Sequence, residues 1–134
     1  MTATTALLLF TAWTLFLVFG LVFGWRGFEV LRGRAINSWG RGSATESPEW
    51  VIRAEHAHLN ALENLPIFAI VVLTAYTLNQ QALVDPLAPY VLYARVGQSV
   101  MHLLGTNPVL VFLRATFWLA QLALFAWMIF GLMH

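Results

Sequence analysis

Apolar residues in this chain fall into four long runs separated by short polar segments, at about residues 6–30, 49–78, 87–104 and 109–133. The first contains LLLFTAWTLFLVFGLVFG, and no charged residue lies between Thr4 and Trp25. Runs of about 17–25 apolar residues match helices that cross hydrocarbon. The segment Gly33 to Pro48 is polar and glycine-rich and predicts the longest loop. Asn79 to Pro86 predicts a short polar connection, and Gly105-Thr106-Asn107-Pro108 a tight turn. Ser47-Pro48-Glu49 reads as a helix start, with Ser as the cap, Pro in the first turn and an acid near the positive helix end.

Polar positions inside these runs are periodic. Arg53, His56, Asn60 and Glu63 recur at +3, +4 and +3, so they share one face of the second helix. Arg95, Gln98 and His102 make a second stripe at +3 and +4 on the third, and Arg114 is the one charge in the fourth. A charge in the centre of a bilayer costs about 2.5–3.5 kcal/mol on insertion scales, so these stripes must face protein or a watery cavity. Gly20 and Gly24 form a small-xxx-small pair, where a neighbouring helix has room to approach.

Composition turns this pattern into a class. The chain is 60% hydrophobic and 10% charged, whereas soluble domains carry about 25% charged residues. The reading is an all-α integral membrane protein, a four-transmembrane-helix bundle forming a single domain over residues 1–134. The start MTATT lacks a positive n-region and the run after it is too long for a cleaved leader, so the first span is expected to stay. Cysteine is absent, which excludes disulfides and protein thiolate chemistry. A net charge of +1 gives no reason to expect nucleic acid. All seven basic residues are Arg. Arg26, Arg32, Arg34 and Arg41, with Arg53 beyond, direct the first long loop to the cytoplasm and leave both termini outside.

The polar residues support two readings. Glu63 with Arg53 or Arg114 forms ion pairs that only hold helices together. Alternatively, the set lines a cavity for a small zwitterion or anion: Arg clamps carboxylates, Asn donates and accepts, and Glu accepts from an ammonium. No metal site is expected, because His56 and His58 are two apart on a helix and no HExxH motif is present.

The block RAEHAHLNALENLPIF, with Arg53, Ala57-His58, Asn60, Glu63-Asn64, Pro66 and Phe68, resembles the signature of the membrane-associated proteins in eicosanoid and glutathione metabolism, the MAPEG family. Length, hydropathy profile and the Asn107-Pro108 turn resemble the family too, in particular its smaller bacterial members. The resemblance implies a MAPEG-like homotrimer in the bacterial inner membrane, with glutathione as co-substrate bound between subunits. It implies ligand contacts from Arg26, Arg53, His56, Asn60, Glu63, Arg95, Gln98 and His102, and a catalytic role for Arg114 beside the thiol. His56 and Leu59 stand where related sequences carry arginine, so the positive clamp is thinner here. The implied activity is a glutathione-dependent transferase or peroxidase acting on small apolar electrophiles that arrive through membrane lipid. The alternative is a non-catalytic membrane scaffold or accessory subunit.

Overall fold

The structure is a computed structural model that describes residues 1–40 and 47–134. Arg41, one of the arginines in the loop argument, lies outside the described residues. The elements are helices: α1 (Ala3–Leu31), α2 (Glu49–Thr77), a single turn α3 (Gln81–Val84), α4 (Ala88–Leu104) and α5 (Pro108–Met133). Helices α1, α2 and α5 are long and apolar enough to cross a membrane. Helix α4 has 17 residues and carries the second polar stripe.

Helix α2 is the centre of the bundle, packed against α1, α4 and α5. Its buried face is Ala54, Ala57, Ala61, Asn64, Phe68, Val71, Val72 and Ala75. Three alanines at helical spacing remove side-chain bulk and let neighbouring backbones come close. Below them Phe68 stacks between Phe10 of α1 (5.5 Å) and Phe125 of α5 (5.9 Å), so one aromatic column joins three helices. The helix runs through Pro66 without interruption. Its start differs from the expected cap: Pro48, not Ser47, is the N-cap, and no side chain caps it. The Pro48 carbonyl accepts from Val51 and Ile52, and Glu49 supplies the first-turn acid.

The connection after α2 also differs from a plain polar loop, because Gln81–Val84 winds into a helical turn. Asp85 explains why it is ordered. Its Oδ1 accepts from the Ala3 backbone N–H (2.8 Å) and from the Tyr76 hydroxyl (3.0 Å), tying the start of α1 to the end of α2. Helices α4 and α5 are joined through Gly105, whose φ of 157° favours glycine. The Asn107 side chain then caps α5 by accepting from Leu110 N–H at 2.9 Å.

The small-residue contact falls elsewhere than the sequence suggested. Within the chain, Gly20 and Gly24 meet only atoms of their own helix. Close approach occurs at Gly97 of α4, where a Cβ would stand 2.9 Å from the Phe117 ring of α5, and at Gly131 of α5, where it would stand 2.8 Å from Leu83.

Helix α1 contains a π-helical stretch, Phe16–Val22. A π-helix turns less per residue than an α-helix, so it redirects every side chain after Val22. One turn before its end on the N-terminal side, the His58 ring Nδ1 lies 2.8 Å from the Thr14 carbonyl. A carbonyl only accepts, so Nδ1 carries the proton. This bond pins α1 to α2 where the winding changes. An asparagine amide nitrogen can occupy the place of Nδ1, and a glutamine one cannot. His58→Asn should therefore keep near-native thermal stability in detergent, while His58→Gln and His58→Leu should each lose about 0.5–1.5 kcal/mol, the worth of one hydrogen bond. Equal losses in all three would remove the bond from the account.

Candidate functional site

On the buried face of α2, which begins at Val51, Ala54, Ala57, Ala61 and Asn64 each follow a stripe residue by one position. One residue is a rotation of roughly 100° in an α-helix. The stripe therefore flanks the interior rather than entering it: Arg53 and Asn60 are half-buried, and His56 and Glu63 are exposed in the single chain. Arg53 donates from Nε to the Leu103 carbonyl at 3.0 Å, which ties α2 to the end of α4. Its charge is matched by Glu49 at 3.5 Å, on a side that is mostly solvent-facing. Among the described residues no ion pair joins Glu63 to Arg53 or Arg114.

The stripe of α4 turns inward. Arg95 has no exposure, Gln98 is 4% exposed and His102 is 6% exposed. The Arg95 guanidinium sits 5.4 Å from the centre of the Phe10 ring, a cation–π contact. Its three nitrogens have no hydrogen-bond partner among the described residues, and Glu63 is the acid whose field reaches it. Gln98 accepts from Gln121 Nε2 at 2.8 Å, and that same nitrogen also reaches the Phe117 carbonyl at 3.1 Å. The His102 ring lies 6.1 Å from His56 and within the fields of Arg114, His56 and Arg53.

Three helices meet in a cleft of about 190 Å³ lined by Asn60 of α2, Gln98 of α4, and Val111, Arg114, Ala115 and Trp118 of α5. Arg114 is half-buried there. The structure thus brings Asn60, Gln98 and Arg114 together, with His56 and His102 paired beside Arg53. Arg26 is not among them. It lies at the end of α1, 3.7 Å from Glu55 on a different face of α2. The cleft offers one guanidinium and two amides, a set that binds carboxylates and stabilises a developing anion.

Ser99 and Tyr93 supply no nucleophile for this cleft. The Ser99 hydroxyl donates to the Arg95 carbonyl at 3.0 Å inside the helix, and Tyr93 is exposed. No group of three His, Cys, Asp or Glu among the described residues is placed to hold a metal. The candidate site residues read from the sequence did not include Gln121, Asn64 or Trp118. Gln121 had a legible signal: it is the only amide in an otherwise apolar run and lies seven residues after Arg114, two turns on the same face. Asn64 lies within the RAEHAHLNALENLPIF block beside Glu63, and Trp118 carried no signal beyond its spacing from Arg114.

The MAPEG family profile matches residues 3–134. The chain belongs to the MAPEG family. Family membership brings with it a glutathione-related membrane activity in general, and the apolar helices place the chain in a membrane. Among curated proteins and solved structures none matches the chain.

In this MAPEG protein the Gln98–Gln121 pair is a buried bond at the back of the cleft. Gln121→Leu leaves the Gln98 carbonyl oxygen without that donor, and should cost about 1–3 kcal/mol. Gln98→Leu with Gln121→Leu removes both partners and should recover much of the loss. Unfolding of the two variants in a denaturing detergent series measures it, and a double variant no better than the single one would count against the pair.

Proposed function

We propose that the protein is a trimeric, glutathione-dependent membrane enzyme that transfers the thiol to an apolar electrophile or uses it to reduce a lipid peroxide. The observation that carries this reading is the outward-facing polar edge of α2: His56 and Glu63 are exposed, and the Asn60–Gln98–Arg114 cleft is open, on a helix apolar enough to cross hydrocarbon. Ionisable groups on such a face need a protein partner. A second copy of the chain supplies one. Family membership supports a ligand at that junction.

In this reading the four helices α1, α2, α4 and α5 are four spans, the first loop is cytoplasmic, both termini are outside, and the membrane is the bacterial inner membrane. Glutathione carries two carboxylates and an ammonium. Arg53 binds a carboxylate, Glu63 of a neighbouring subunit accepts from the ammonium, and Asn60 and Gln98 bind amide groups, while Arg26, in the other cleft, stays outside this set. Arg95 and His102 line the inner wall of the site.

Attack requires the thiolate. Arg114 stabilises it electrostatically in a site walled by Val111, Ala115 and Trp118, where low polarity strengthens the interaction. His56 and His102 are the ring bases on this face for the departing proton. The apolar substrate approaches from lipid along the exposed side chains of α5.

Arg114→Ala should lower turnover about 100- to 1000-fold, the cost of removing one preorganised anion stabiliser, with trimer mass and most of the glutathione affinity kept. Thiol conjugation and peroxide-reduction assays, alongside calorimetry with glutathione, read this out. A well-folded protein that binds no glutathione at millimolar concentration would end the catalytic reading and leave the scaffold. A detergent-solubilised monomer as the sole species in native mass spectrometry would end the inter-subunit site.

A further inference from the structure

A second cleft, of about 490 Å³, lies at the other end of the charge pattern, between the last turns of α1 and the start of the loop. It is lined by Phe23, Arg26, Gly27, Val30, Ile36, Asn37, Trp39 and Gly40, and none of these residues lines the Asn60–Arg114 cleft. Two N–H donors on its walls, Arg26 Nε and Trp39 Nε1, are buried without a hydrogen-bond partner among the described residues. Leaving such donors bare in a low-polarity setting is costly, so their presence points to an acceptor beyond the described residues.

Position defines what that acceptor is. Arg26 is the first charge after the uncharged stretch that ends at Trp25, so the cleft sits at the hydrocarbon boundary. One wall is apolar, from Phe23, Val30 and Ile36, and Phe23 and Ile36 are themselves exposed. Trp25 and Trp39 meet edge to face at 5.6 Å, as interfacial tryptophans placed at headgroup level. The ring faces are already taken: Arg26 lies over Phe23 and Trp39, and Arg34 over Trp25 and Trp39. The nearby acids are committed as well, Glu29 to Arg32 and Arg34, and Glu55 to Arg26. A headgroup ammonium would find no carboxylate or ring face to itself. An anionic phosphodiester finds two donors and a positive balance.

We propose that this cleft binds an acidic phospholipid, its phosphate held by Arg26 Nε–H and Trp39 Nε1–H and its acyl chain along Phe23, Val30 and Ile36. The site anchors the end of α1 and the loop to one leaflet. It also gives Arg26 a role that does not depend on glutathione.

The test uses the assembled protein, stripped of lipid in detergent, and native mass spectrometry with added phosphatidylglycerol or phosphatidylcholine. Trp39→Phe removes one donor and keeps the ring, and Arg26→Gln removes the cation. Wild type should retain phosphatidylglycerol in preference to phosphatidylcholine. Each variant should weaken that retention about tenfold, the size of a charge-assisted hydrogen bond, while Arg114→Ala leaves it unchanged. If Arg26→Gln fails to fold, Trp39→Phe alone decides. Retention unchanged in Trp39→Phe, or equal for the two lipids, overturns the proposal. So does glycerol phosphate binding as tightly as the lipid, which would make the site one for a free anion. Displacement of the lipid by millimolar glutathione would return Arg26 to the thiol site and overturn it too. Lipid retention with no glutathione binding would leave this site standing and sink only the enzymatic reading.

Discussion

A guanidinium does not give up its charge in a protein, and Arg95 is held with no exposure inside helices whose outer surfaces are apolar. Its three nitrogens have no hydrogen-bond partner among the described residues, and two other groups answer the charge. Phe10 of α1 presents its ring face at 5.4 Å, and Glu63 of α2 supplies the opposing field. Asn64, Gln98, Ser99, His102 and Gln121 add buried polar side chains to an interior of α2, α4 and α5 that is otherwise apolar. The small face Ala54–Ala57–Ala61 lets the helices close around this strip.

Two neighbouring faces of α2 have different surroundings. The alanine and Phe68 face builds the chain's own interior. The polar face, offset by one residue, is left at the edge. The same offset places Asn60 at the mouth of a cleft whose other walls come from α4 and α5, while Arg53 is spent on tying α2 to the Leu103 carbonyl. Arg53 thus has a structural bond on one side and its remaining donors on the other.

Positive charge is concentrated at one end of the bundle but is split between two clefts. Arg114 faces Asn60 and Gln98; Arg26 faces Trp39 and Asn37. The π-helical stretch divides α1 itself. It lies between the part of α1 that packs on Arg95 and the part that carries Arg26, and His58 bonds to α1 just where the winding changes. A residue inside the signature block therefore acts on the direction of a residue far from it in sequence.

The class of the protein, the helical nature of its apolar runs, the turn at Asn107-Pro108 and the sharing of a face by Arg53, His56, Asn60 and Glu63 follow from composition and from a period of 3.6 residues, which are local properties. What periodicity does not contain is the rotation of a face relative to its neighbours. Only packing decided that the α2 stripe lies beside the interior and the α4 stripe within it, because the position of three alanines sets how α2 is turned. The Gly20 and Gly24 spacing reads as room for a neighbouring helix, and within the single chain the close approaches are at Gly97 and Gly131, since the contact depends on which helix lies opposite. The π-segment had no local mark in a run of Phe, Leu and Val, so the direction of Arg26 was a property of the tertiary structure alone.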